Sequence, residues 1–340
     1  MTTRSRRLFV ALTLATALTA SACSSDAASS AEDEALVVYS GRNPELIEPL
    51  VKIFEDESGI DVDLRDGNST ELAAQLLEEG GNTPAEVFLS QDAGALGVLT
   101  NEGLLAALPE DVTSVVPPEY TSKDGSWVGL TGRARVVAYD SQTVSAEQVP
   151  TNVDELLDPK WKGQVGVAPT NASFQAFITA LRVVEGEEAA KTWLQGLLAN
   201  EPQIFENNGA ILEAVNSGAL QLGLINHYYW AAYEGDPTTQ RAQIAFGEPG
   251  SVSALVNVSG VAIMSPSAGD ADAAEFVEFL VSQKAQTYFL AETAEYPLAL
   301  DGQSPAGVPP LSDLGGPDID LSDLASLQET VALLTEAGLL

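Results

Sequence analysis

The stretch WVGLTGRARVVAYD, residues 127–140, decides the fold. It is a long, β-rich run with no turn signal after Gly132, and it divides two blocks in which short apolar runs alternate with amphipathic ones. A second long extended run, ALVNVSGVAIMS at 254–265, closes the second block. Alternation of strand and helix signals predicts an α/β architecture. Two long strands that each separate such blocks predict two lobes joined by two hinge strands. The reading puts 36–130 and about 260–300 in one lobe and 131–259 in the other. The helical tail 301–340 is left unassigned between them.

Working outward from 127–140, the preceding block opens with ALVVYS (35–40), a strand. In GRNPELIEPLVKIFEDESG, Asn43 suits an N-cap, Pro44 the first helical position and Gly59 a C-cap, with Pro49 as a blemish that predicts a kink. IDVDLRDG (60–67) alternates like a strand, STELAAQLLEEGG reads as a helix, and AEVFLS (85–90) as a strand. The later block holds the strand QVGVAP (164–169), helices over NASFQAFITALRVV, EEAAKTWLQGLLAN and NGAILEAVNSG, and the strand ALQLGLIN. Helices are also predicted over DAAEFVEFLVSQKAQTYFLAETA and at the end of the chain.

The first 35 residues read as an address. Arg4, Arg6 and Arg7 precede the apolar run LFVALTLATALTA, the pattern of a secretory signal peptide over 1–22. ASAC, ending at Cys23, resembles the lipobox of bacterial lipoproteins, so Cys23 is expected to carry a lipid anchor. It is the only cysteine, so no intramolecular disulfide is available. Residues 23–35 would be a flexible tether holding the folded part outside the cytoplasmic membrane. No later run is apolar for about 18 residues. The formal charge of −34 repels nucleic acid.

Ligands in such sheets collect where strands turn into helices. At the first corner Arg42 projects beside a helix start. At the second, Gln91 precedes Asp92, which reads as an N-cap. Along 127–140, alternation puts Arg133, Arg135 and Tyr139 on one face. The most unusual corner is LINHYYWAAYEG (224–235), which holds Tyr228, Tyr229, Tyr233 and the chain's single histidine, His227. Asn226 is expected to cap the helix that follows. Neighbouring helical residues diverge by about 100°, so Tyr228 and Tyr229 do not both fit one core face, yet both reach a point off the helix start. Trp230 and Tyr233 are expected to pack, and His227 to be structural or at the surface. Clustered phenols suit a hard cation such as Fe³⁺, whose charge favours the anionic oxygen. One histidine and one terminal cysteine do not make a zinc site of ordinary type.

These segments together resemble the ferric-iron-binding periplasmic proteins, the solute-binding components of ATP-binding-cassette importers. VVYSGRN, TPAEVFLSQDAGAL, GLTGRARVVAYD, NNGAILEAVNSG, LGLINHYYW and AEYPL carry the resemblance, over about 36–300. It implies the type II periplasmic-binding-protein fold and no enzymatic activity. It implies Fe³⁺ held by Tyr228 and Tyr229, with Tyr139 as a third ligand, and a synergistic anion such as carbonate on Arg42 and Arg133. Asn43 and Gln91 stand where some members carry a histidine and an acidic ligand, which points to the three-tyrosine subgroup. The implied partners are a permease and its ATPase, met by a monomeric binding protein. The rival reading is the same fold around another solute, such as an oxyanion, a polyamine or a thiamine-like molecule. An extracellular hydrolase would need a motif that is missing: GxSxG, HExxH and the phosphate loop are all absent.

Overall fold

The computed structural model describes residues 35–340. The signal peptide, Cys23 and all of the tether except Ala35 lie outside the described residues. The elements run β1 (Leu36–Ser40), α1 (Pro44–Ser58), β2 (Val62–Asp66), α2 (Ser69–Glu79), β3 (Val87–Ser90), α3 (Ala93–Asn101), α4 (Glu110–Thr113) and β4 (Val128–Asp140). Then come β5 (Val165–Val167), α5 (Ala172–Glu185), α6 (Glu187–Ala199), β6 (Gln203–Ile204), α7 (Asn208–Ser217), β7 (Leu222–Asn226), α8 (His227–Ala231) and β8 (Ala242–Phe246). β9 (Val256–Ile263), α9 (Ala271–Val281), α10 (Gln283–Thr293), β10 (Tyr296–Pro297) and α11 (Leu327–Ala337) complete the chain.

The strands order as β2-β1-β3-β9-β4-β7-β5-β6, with β8 and β10 also paired to β4. β4 is the shared strand. Its first half, Val128–Ala134, pairs antiparallel with β9. Its second half, Arg135–Tyr139, pairs with β7, and Val136–Asp140 pairs with β8. β1, β2 and β3 run parallel on one side, and β5, β6 and β7 run parallel on the other. The chain therefore crosses between two α/β halves along β4 and returns from β8 to β9, the crossings that the two long extended runs predict.

Local chemistry sets the element ends as the sequence implies. Asn43 Oδ1 accepts from Glu45 N at the start of α1, Gly59 ends that helix at φ 79°, and Asp92 caps α3. α1 runs through Pro49. The helix expected over 272–294 is two, α9 and α10, because Ser282 leaves helical geometry and caps α10. β8 carries no clear alternation and escapes a sequence reading. Behind β7, α7 lies close on the sheet: a Cβ at Gly223 would sit 2.2 Å from Ile211 Cγ2. Ile211 and Val215 of α7 are fully buried there, each stabilising the half by about 2 kcal/mol.

Candidate functional site

β7 ends at Asn226, directly opposite Arg135 of β4. The chain then turns into the five-residue α8, so Tyr228 and Tyr229 emerge where β4 passes from one half to the other. Their rings stack at 4.5 Å between centroids, with planes 27° apart, and both remain partly exposed. Stacking parallel rings brings their hydroxyl ends out side by side. Asn226 holds the N-cap position without capping: its Oδ1 accepts from Arg135 Nη1 at 3.4 Å instead. Trp230 is buried and donates to Ala242 O. Tyr233 does not pack as expected. α8 stops at Ala231, and Tyr233 is 46% exposed.

His227 is fully buried, not at the surface. Its Nδ1 accepts the Ala134 N–H at 3.1 Å, and its ring lies 4.6 Å from that of Tyr296. It ties α8 to β4 at the crossing point. Burial holds its pKa down to about 4, so the ring is neutral at pH 7. The Tyr228 phenol is raised above its ordinary value by burial first and Tyr229 next; Arg133 opposes and Glu295 adds. Tyr228 thus keeps its proton unless a strong positive charge displaces it.

Three arginines stand near this corner, and each differs in how it is satisfied. Arg135 is buried, donates to Leu224 O, Ser173 Oγ and Asn226, and lies over the rings of Phe174 and Phe177. Burial lowers it to about 9, against the attraction of Tyr228 and Tyr229; it stays charged at neutral pH. Arg133 is also buried, and its Nε and Nη2 have no partner. Arg42 donates to both oxygens of Glu295 and to Gln91 Oε1.

A cleft of about 30 Å³ joins the two halves here, lined by Gln91, Asp92, Arg133, Arg135, Ser173 and Asn226 among others. It has room for one or two waters. A larger cavity of about 340 Å³ lies elsewhere, between the 3-10 turn at Tyr120 and the tail near Leu311. No unpartnered buried polar atom among the described residues lines it. Among the described residues no three His, Cys, Asp or Glu side chains gather into a metal cluster.

Tyr139 is not brought to this pair. It lies opposite Leu222, four residues along β4 from Arg135, a separation of about 13 Å along the strand. Its ring packs against the main core, whereas Tyr229 packs against the separate cluster of Val136, Ile211 and Ile225 on the other face. The alternation argument placed Tyr139 on the face of Arg135 correctly; it carries no information on distance along the strand. Glu295 is the buried group that sequence reasoning missed, although it stands within the AEYPL motif.

Residues 82–313 match the model of the family described as bacterial extracellular solute-binding protein. The chain belongs to that family. It is 32% identical over 315 residues to the Fe(3+)-binding periplasmic protein of Serratia marcescens, covering 91% of each chain. It is 33% identical over 313 residues to the major ferric iron-binding protein of Neisseria gonorrhoeae, covering 89% of this chain and 93% of the relative. Among solved structures, iron-bound HitA from Pseudomonas aeruginosa superposes with a TM-score of 0.80 at 32% identity, over 89% of this chain and 99% of that one. FutA from Trichodesmium, in complex with iron and citrate, superposes at 0.75 with 27% identity, over 90% and 100%. The fold of this solute-binding protein is thus the two-lobed type II periplasmic-binding-protein fold, crossed by β4 and the β8–β9 return.

Proposed function

We propose that this solute-binding protein captures Fe³⁺ outside the cytoplasm and delivers it to a membrane importer. The observation that carries the reading is the stacked pair Tyr228–Tyr229, two residues beyond Asn226, which lines the inter-lobe cleft together with buried arginines that have unpartnered nitrogens. Support comes from relatives of similar length that are named for ferric iron binding. Two phenolates leave Fe³⁺ with one positive charge, and Arg133 and Arg135 add two more. Such a site calls for an anion, carbonate or a carboxylate chelate, to complete the coordination and the charge balance.

In this reading Tyr228 and Tyr229 lose their protons to the metal. Arg133 holds the anion, with Arg135 and Ser173 beside it. Tyr139 and Arg42 are left out of the set, one by its place on the strand and the other by Glu295. The lobes, 36–130 with about 260–300 and 131–259, close on the ion, and the closed form meets a permease with its ATPase. Cys23 would anchor the protein to the outer face of the membrane.

Ferric nitrilotriacetate titrated into the ligand-free protein, with and without bicarbonate, tests the reading. A visible phenolate-to-iron absorption band that strengthens with bicarbonate is expected. Each phenol proton released should tighten binding about tenfold per pH unit. A protein that stays colourless under these conditions overturns it.

A further inference from the structure

The C-terminal tail is fastened to both halves. Before Ser326 it packs mainly on the half that contains α3, with a smaller contact to α5. The 3-10 turn Leu321–Ala325 lies so close on α3 that a Cβ at Gly97 would sit 2.1 Å from Ser322 O, and one at Gly94 would sit 2.7 Å from Leu324 O. Trp127 Nε1 donates to Ser322 Oγ at 3.2 Å, Lys123 pairs with Asp320 at 3.3 Å, and Leu321 and Leu324 are buried. From Ser326 onward the tail belongs to the other half. Buried Arg182 of α5 donates to Ser326 O and Thr330 Oγ1, both at 2.8 Å, and Thr179 and Thr330 share a hydrogen bond of 2.7 Å. Lys191 of α6 pairs with Glu336 at 2.6 Å, and Leu334 is fully buried.

Only the joint between Leu324 and Ser326 separates these two sets of contacts. It lies beside the first turn of α3, whose N-cap, Asp92, lines the inter-lobe cleft. Two lobes that rotate about β4 and β9 cannot keep both anchors unless this joint bends. We propose that residues 320–340 are a strap, a third connection between the lobes, which favours the narrow-cleft arrangement and must yield at one anchor when the cleft opens. Glycine at 94 and 97 is then a requirement of the device, since any side chain there would lift the strap from α3. The strap stands on contacts remote from the tyrosines and does not depend on which solute is bound.

The test measures the distance between spin labels at Glu78→Cys on α2 and Thr192→Cys on α6, in ligand-free full-length chain carrying Cys23→Ser. Both positions are exposed. Four backgrounds are compared: wild-type strap, Thr330→Val at one anchor, Gly97→Ala at the other, and Thr330→Ser as the control that keeps the hydroxyl. Each anchor variant should add a longer-distance population, and Thr330→Ser, which keeps the hydroxyl, should match wild type. Release of bound Fe³⁺ to a competing chelator should quicken several-fold in the same two variants. Thr330→Val is nearly isosteric and decides the matter if Gly97→Ala does not fold. Distances in Thr330→Val that are indistinguishable from wild type would overturn the strap. Because the distances are read without iron, failure of the iron reading would leave this result intact.

Discussion

Arg42 and Glu295 form a buried ion pair, joined through Nη2–Oε2 at 3.1 Å and Nη1–Oε1 at 3.4 Å, although 253 residues separate them in the chain. The Thr131 hydroxyl also donates to Glu295, and Arg42 and Arg133 together hold its carboxyl below the usual range against the opposing effect of burial. Neither group is open to solvent, so each depends on the other. Glu295→Gln would leave the Arg42 guanidinium buried and unneutralised, and should cost about 3–5 kcal/mol in urea unfolding. Replacing both residues by Met and Leu should recover much of that loss. A Glu295→Gln cost under about 1 kcal/mol would show that water reaches the pair.

How much of this was legible beforehand follows from the kind of signal each feature carries. Caps and periodicity are local, so Asn43, Gly59, Asp92 and the run 127–140 announced their elements. The tyrosine corner was legible because Tyr228 and Tyr229 break helical core spacing. Three features were not. Arg42 looked like a free cation because its partner lies at the far end of the chain. Tyr139 was carried over as a third ligand by the resemblance, and the alternation that puts it on the face of Arg135 says nothing of depth along the strand. Tyr233 looked like packing because the i, i+4 pattern assumes a helix longer than the five residues of α8.

The two faces of the second half make the tyrosines separable by mutation. Tyr228→Phe and Tyr229→Phe should each abolish most of the visible iron band and weaken binding by at least about a hundredfold, or about 2.7 kcal/mol. Tyr139→Phe should leave the spectrum and affinity unchanged, since its ring packs against the main core about 13 Å along β4 from Arg135. A loss of the band in Tyr139→Phe would restore the three-tyrosine set and require β4 to move on binding.

Asp140, at the end of β4, offers a pH test of stability away from the site. Arg241 grips both carboxylate oxygens at 2.7 and 2.8 Å, and Thr143 and the Gln142 N–H add further bonds. Arg241 foremost holds the Asp140 pKa down to about 2, below the unfolded value of about 3.9. A depressed acid stabilises the folded state above the unfolded pKa and loses that contribution as pH falls through the folded one. The term should be about 2–3 kcal/mol at pH 7 and fade between about pH 4 and pH 2. Asp140→Asn should therefore differ from wild type by about that amount at pH 7 and converge with it near pH 2. A difference that persists at pH 2 would assign the loss to packing.

Arg133 and Arg135 share a strand face and a cleft, yet the structure gives them opposite mutational signs. Arg135 serves Leu224 O, Ser173 and Asn226 and lies over two phenylalanine rings, so Arg135→Met should cost about 2 kcal/mol or more in the ligand-free protein. Arg133 leaves two buried nitrogens unpartnered, with the charge of Glu295 nearby. Such a group is a cost to the fold until something binds it. Arg133→Met should leave ligand-free stability within about 1 kcal/mol of wild type or raise it, while removing the enhancement of iron binding by bicarbonate. Thermal melts with and without the anion read both effects at once: wild type should gain stability from bicarbonate with iron present, and the variant should not. A variant that melts as low as Arg135→Met without ligand would mean that Arg133 already serves the fold and holds no anion.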